Sequence, residues 1–112
     1  MKKILLILVL CLTLCGCSTE TKELDLETVM KENNYIIVDV RTKEEYDEAH
    51  LVEAINIPYD EINETTDLDK EKTILVYCRS GNRSSIAYDT LEDLGYTVYD
   101  LGAFSEIDLP KE

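Results

Sequence analysis

Hydrophobic residues fall in blocks of different period along the chain, and each period predicts a different element. Ile4 to Cys15 (ILLILVLCLTLC) is an uncharged apolar run near the start. At ~1.5 Å rise per residue it makes ~18 Å of helix, short of a ~30 Å hydrocarbon core. Ser18 to Glu23 (STETKE) is polar throughout. Asp25 is placed to cap a helix running to about Glu32, with Leu26, Val29 and Met30 on one face. Tyr35 to Val40 (YIIVDV) is apolar and β-branched with one acid, the pattern of a strand covered on both faces. Thr42-Lys43-Glu44-Glu45 has the form of a capping box and opens a short helix through Ala49. Ala54 to Ile57 is a short strand stopped by Pro58. Tyr59 to Asn63 reads as a helical turn, and Asn63 to Lys72 as a polar connection. Thr73 to Tyr77 (TILVY) is a second buried strand. Ser84 to Gly95 carries Ile86, Ala87, Leu91 and Leu94 at helical spacing, with Gly95 as its stop. Thr97 to Asp100 (TVYD) is a last strand, followed by a turn at Gly102. Strands alternating with helices predict an α/β fold, a parallel β-sheet flanked by helices. Functional groups in such sheets gather at the carboxyl ends of the strands, where Cys78 sits.

Met1-Lys2-Lys3 ahead of the first apolar run gives it the form of a secretory signal peptide. The run ends in Leu14-Cys15-Gly16-Cys17, which resembles the bacterial lipobox, although Cys15 stands where Ala, Ser or Thr is usual. That resemblance implies removal of residues 1–16, lipidation of Cys17, a tether over residues 17–24 and a folded domain over residues 25–112. It also implies a place on the extracytoplasmic face of a bacterial membrane. An uncleaved anchor is the competing reading. Cys15-Gly16-Cys17 has no neighbours to complete a metal site, and neither a metal nor another cofactor is expected.

Charge changes the picture next. Lys and Arg number 11 against 24 Asp and Glu, a net charge of −13, and loss of Lys2 and Lys3 with the leader brings it to about −15. This excess argues against nucleic acid as a partner and against an electrostatic hold on anionic lipid. The acyl chains are then the membrane contact. Within this acidic background, Lys72 to Tyr88 contains no acid and carries Lys72, Arg79 and Arg83. The cysteines sort in the same way: Cys11 and Cys15 leave with the leader and Cys17 carries lipid. Cys78 remains the single free thiol of one domain, expected to be a monomer and to stand without a disulfide. A lone thiol is either a reactive group or a small buried hydrophobe.

The residues after Cys78 favour the reactive alternative. In Tyr77-Cys78-Arg79-Ser80-Gly81-Asn82-Arg83-Ser84 a thiol tops a buried strand and precedes a Gly/Ser/Asn-rich turn and a helix start. Such a turn can aim several backbone N–H groups at one anion, and the helix N-terminus adds its positive end. Both favour thiolate over thiol. A drop of two pKa units needs ~2.7 kcal/mol. A helix end and a few charge-assisted hydrogen bonds, at ~0.3–2 and ~1.5–3 kcal/mol each, cover that.

Two stretches resemble the rhodanese family. Val38-Asp39-Val40-Arg41 through Glu45-Tyr46 and His50 to Asn56-Ile57-Pro58 is similar to the family's D-V-R…E-(F/Y)…G-H-I…A-x-N-I-P motif. Cys78-Arg79-Ser80-Gly81-Asn82-Arg83-Ser84 is similar to its C-R-x-G-x-R-S active loop. The resemblance covers roughly Leu24 to Ile107. Ala49 and Glu53 replace the glycines that usually precede His50 and Ala54, Gly102-Ala103 stands where Gly-Gly is usual, and Ile107 where Trp is common.

The resemblance implies a rhodanese-like fold and sulfane-sulfur transfer. Cys78 takes sulfur from a small anionic donor such as thiosulfate as a persulfide and passes it to a thiol or protein acceptor. It implies that Arg79, Ser80, Gly81, Asn82 and Arg83 bind the transferred group, with Arg79 and Arg83 orienting the donor's oxyanion unless they are merely solvated. Asp39, Arg41, Glu45 and His50 then brace the first motif, His50 as general base being the lesser alternative. A phosphatase or arsenate reductase uses C-x5-R, whereas Arg83 is the fifth residue after Cys78, a shorter loop sized for sulfur. The rival from another class is a non-catalytic rhodanese module, a sulfur carrier, thiol sensor or binding surface.

Overall fold

A computed structural model describes residues 25–112. The expected leader, the Cys17 lipidation site and the tether lie outside the described residues. The elements run α1 (Leu26–Glu32), β1 (Tyr35–Asp39), α2 (Lys43–Glu48), β2 (Ile55–Asn56), a 3-10 turn (Tyr59–Glu61), β3 (Thr73–Cys78), α3 (Asn82–Asp93), β4 (Thr97–Ala103) and a second 3-10 turn (Phe104–Glu106). The four strands form one parallel sheet in the order β2-β1-β3-β4, flanked by the helices.

The central strands are apolar because both their faces are covered, and the two-residue period of a strand divides them between two cores. Val38, Ile74, Val76 and Cys78 pack toward Ala87 and Leu91 of α3. Ile37, Leu75 and Tyr77 pack on the opposite face against Val29 of α1, Leu51 and Ile107. Cys78 and its neighbour Tyr77 therefore point to opposite sides of the sheet, and both are fully buried.

Local sequence accounts for the ends that matter. The capping box forms: Glu45 N–H donates to Thr42 Oγ1 at 3.2 Å, and Thr42 N–H donates to Glu45 Oε1 at 3.0 Å. Gly95, at φ 100°, closes α3, with its N–H on Glu92 and the Tyr96 N–H on Leu91, a Schellman arrangement. Asp25 occupies the N-cap of α1, where its carbonyl accepts the Val29 N–H at 3.1 Å but its carboxylate caps no backbone N–H and accepts instead from Thr28 Oγ1 at 2.9 Å.

Two expectations are corrected. Ile86 is 50% exposed, and the buried stripe of α3 is Ser84, Ala87 and Leu91. The helix also begins earlier, at Asn82, and its first turn is buried through Ser84. Gly102 is no terminal turn but lies inside β4, where the register against β3 slips between Val76 and Tyr77 and brings Ala103 beside Cys78. Gly102 takes φ 89° there, and its N–H bonds Asp100 Oδ1 at 2.9 Å. The C-terminal tail returns across the sheet edge, pairing His50 with Glu112 through reciprocal backbone bonds of 3.0 and 2.8 Å.

Candidate active site

Cys78 ends β3, and the chain then turns within three residues to enter α3. Gly81 makes that turn possible: it caps α3 at φ 101°, a conformation that costs a side-chain-bearing residue ~1–2 kcal/mol. No side chain caps this helix, and the Ser84 N–H of its first turn joins the Ser80 and Gly81 N–H groups before it in turning to the sulfur. The Gly81 N–H donates to Cys78 Sγ at 2.9 Å, and Ser84 Oγ lies 3.5 Å from the same sulfur. Burial pushes the Cys78 thiol up. The Ser84 hydroxyl and the backbone N–H groups of Ser84, Gly81 and Ser80 pull it down more strongly, and its pKa falls below that of an ordinary cysteine.

Ser84 was not among the site residues that the sequence singled out. Its signal was the buried i, i+3, i+7 stripe it shares with Ala87 and Leu91, where a serine needs a partner. That partner is divided. Ser84 Oγ donates to Gly81 O at 3.2 Å while the thiol donates to Ser84. Once the thiol ionises, the same hydroxyl can rotate to donate to sulfur, because Gly81 O keeps a bond from Ser85 N–H at 3.2 Å.

The two loop arginines have different surroundings. The Arg83 guanidinium forms a two-pronged ion pair with Glu45 of α2, at 2.8 and 3.2 Å. That pairing, with Thr42 as a second donor, holds the Glu45 carboxyl down at about 2. Arg79 is exposed and makes no ion pair among the described residues. The positive charge of the acid-free window is thus partly cancelled by a carboxylate from another element, and Arg79 is the loop cation left to solvent. Ser80 and Asn82 are exposed.

The first motif forms a support beneath this loop. Asp39 and Arg41 are buried and paired, with Arg41 Nη2 2.7 Å from Asp39 Oδ2 and 2.6 Å from the Ala49 carbonyl. Tyr77, directly before the cysteine, donates to Asp39 at 2.8 Å and accepts the Leu51 N–H at 3.0 Å. Burial drives the Tyr77 phenol well above its usual range, so it stays a neutral donor. His50 stacks on Tyr46 at 3.9 Å, and its ring nitrogens face Tyr46 O and Glu112. It fastens the C-terminal tail. A cleft of about 410 Å³ opens at this end of the sheet, with Arg41, Glu45, Glu48, Arg79 and Phe104 among its lining residues. Among the described residues, no group of His, Cys, Asp and Glu is arranged to hold a metal ion.

Comparison with known proteins agrees with this fold. The family model for the rhodanese-like domain matches residues 23–107. Thiosulfate sulfurtransferase PspE of Escherichia coli (strain K12) is 41% identical over 78 residues, which are 66% of this chain and 75% of that protein. Thiosulfate sulfurtransferase GlpE of Coxiella burnetii is 31% identical over 84 residues, 73% of this chain and 78% of its own length. Among solved structures, a rhodanese with anions from E. coli superposes with a TM-score of 0.64 at 38% identity, across 70% of this chain and 96% of that one.

Proposed function

The chain belongs to the rhodanese-like domain family, and from that premise we propose that it is a sulfurtransferase working through a persulfide on Cys78. The observation that carries the proposal is the buried sulfur held by the Gly81 N–H and beside the Ser84 hydroxyl, in a site that favours its anion. Thiolate is the attacking form in sulfur exchange. It attacks the outer sulfur of a donor such as thiosulfate, a new S–S bond forms, and the S–S bond to the sulfonate breaks with release of sulfite. A thiol or protein acceptor then removes the outer sulfur and regenerates the thiolate.

The Arg83–Glu45 pair bears on how the donor is held. Because Arg83 is engaged, Arg79 is the residue we assign to the donor's oxyanion, and Arg83 becomes a tie between loop and α2. The same pair weighs against an oxyanion-wrapping phosphatase, whose arginine has to face the cradle. A rhodanese module that only carries or senses sulfur would load Cys78 once and hold it. We propose further that Cys17 is lipidated and keeps the domain at the extracytoplasmic face of the membrane. The test of turnover is sulfite release from thiosulfate with cyanide or a thiol present. Many equivalents of sulfite per protein support an enzyme, a single equivalent supports a carrier, and none refutes both.

A further inference from the structure

We infer that Ala103 determines by width which reactants reach the sulfur of Cys78: its methyl group stands at the way in and admits slim, unbranched reactants in preference to those branched beside the reacting atom. The inference rests on the persulfide reading above and adds to it the shape of the acceptor.

The register of β3 and β4 puts Ala103 there. Their pairing runs evenly to Val76 beside Asp100 and then skips Leu101, so that Tyr77 pairs with Gly102 and Cys78 with Ala103. An even register would set Gly102, with no side chain, beside Cys78. The slip is made locally: Gly102 takes φ 89° and its N–H bonds Asp100 Oδ1 at 2.9 Å. This is the work of a β-bulge, which re-aims the side chains after it. Leu101 and Phe104 pack on the Tyr77 face of the sheet. Ala103 is extended, at φ −85° and ψ 131°, and so alternates with Phe104. Its methyl therefore lies on the Cys78 face, one strand spacing of ~4.8 Å away.

Burial shows from which side the sulfur is approached. Cys78 is fully buried, and so are Val40 and Ala87 of the same core and Ser84 beside the sulfur. Gly81, whose N–H touches the sulfur, and Ala103 are partly exposed. A Cβ added to Gly81 would meet nothing within 4 Å, so that side is open, and of the two only Ala103 brings a side chain. Because β4 is an edge strand, no further strand among the described residues lies beyond Ala103.

An acceptor attacks the outer sulfur, ~2 Å beyond Sγ, in line with the S–S bond. Its new bond to sulfur forms as the bond to Cys78 breaks, and the electron pair returns to Cys78 as thiolate. Cyanide leaves as thiocyanate and a thiolate as a persulfide, with no outside oxidant or reductant. Substituents on the carbon next to the attacking atom sweep the width that the Ala103 methyl narrows, whereas cyanide has none.

Wild type, Ala103→Gly and Ala103→Val are loaded from inorganic polysulfide, an unbranched donor, then desalted and checked for one added sulfur by intact mass. Loss of that sulfur is followed with cyanide, ethanethiol, 2-propanethiol and 2-methyl-2-propanethiol. Variant-to-wild-type ratios are taken for each acceptor, so intrinsic reactivity cancels. Ala103→Gly should speed the tertiary thiol by about 10-fold, the effect of one methyl group in a confined site. The gain should shrink through 2-propanethiol and be smallest for cyanide, and Ala103→Val should slow the acceptors in the same order. A second arm alkylates the unloaded thiol with iodoacetamide and with 2-iodopropanamide, which is branched at its reacting carbon, and should show the same dependence. Ratios independent of branching overturn the inference while the persulfide stands. A wild type that never gains sulfur removes the persulfide reading, and the alkylation ratios alone then decide the role of Ala103.

Discussion

Arg83 Nη1 lies 2.8 Å from Glu45 Oε1, and that one ion pair joins the two motifs of the chain. Glu45 also closes the capping box of α2, so the entry to α2 and the entry to α3 are held by a single carboxylate.

Breaking this tie should loosen the loop without removing the nucleophile. Glu45→Gln and Arg83→Gln are each expected to cost about 1–2 kcal/mol at neutral pH, the partial exposure of both side chains screening the pair. Their double variant should cost little more than either alone, because each has already broken the same contact. The Glu45 carboxyl sits at about 2 when folded, below the ordinary range near ~4.3. A depressed acid adds stability above the ordinary range and loses it as pH falls toward the folded value. Urea titrations between pH 5 and pH 2, values that bracket this window, should show a steeper loss of stability in wild type than in Glu45→Gln. Parallel pH profiles would count against the pair.

Ser84→Ala should raise the apparent pKa of Cys78 by about one unit, the value of one lost hydrogen bond to the anion. The change is small in volume, and Gly81 O retains its bond from the Ser85 N–H. The rate of iodoacetamide alkylation against pH reads the shift directly. Wild type should reach its plateau at lower pH than a free cysteine, near ~8.5, and the variant at higher pH than wild type. Coincident curves would show that Ser84 only fills space.

Glu53 occupies φ 76°, a conformation suited to glycine, in the turn where Ala54 N–H bonds the Leu51 carbonyl at 3.0 Å. Relief of this strain outweighs the added freedom of the unfolded chain, so Glu53→Gly should stabilise by about 0.5–1 kcal/mol. Chemical denaturation checks it, and a loss of stability would mean that the Glu53 backbone carries no strain.

Much of this architecture was legible because single residues carry strong local signals. The Thr42–Glu45 box, Gly95 and the apolar runs of β1 and β3 specify their elements with little help from the rest of the chain. The start of α3 was not legible from apolar spacing, since its first turn is Asn82-Arg83-Ser84 and is buried through a serine. The interior position of Gly102 depends on how β4 aligns with β3, a long-range choice that local sequence does not encode. Likewise the first motif and the active loop could be read separately, but not the Glu45–Arg83 pair that spans 38 positions between them. On that pairing we assign Arg83 to support of the loop rather than to donor contact.

Lipidation is the prediction farthest from the folded domain. Cys17→Ser should release the protein from membranes or leave the precursor unprocessed, read by fractionation and mass. Unchanged processing and membrane association would refute a lipid anchor at Cys17.

The central claim is a sulfur held on Cys78, and intact mass spectrometry after incubation with thiosulfate reads it most directly. The protein should gain one sulfur atom that cyanide or a reducing thiol removes, and Cys78→Ser should gain none. An unmodified wild type, or an equal gain in Cys78→Ser, would contradict the account.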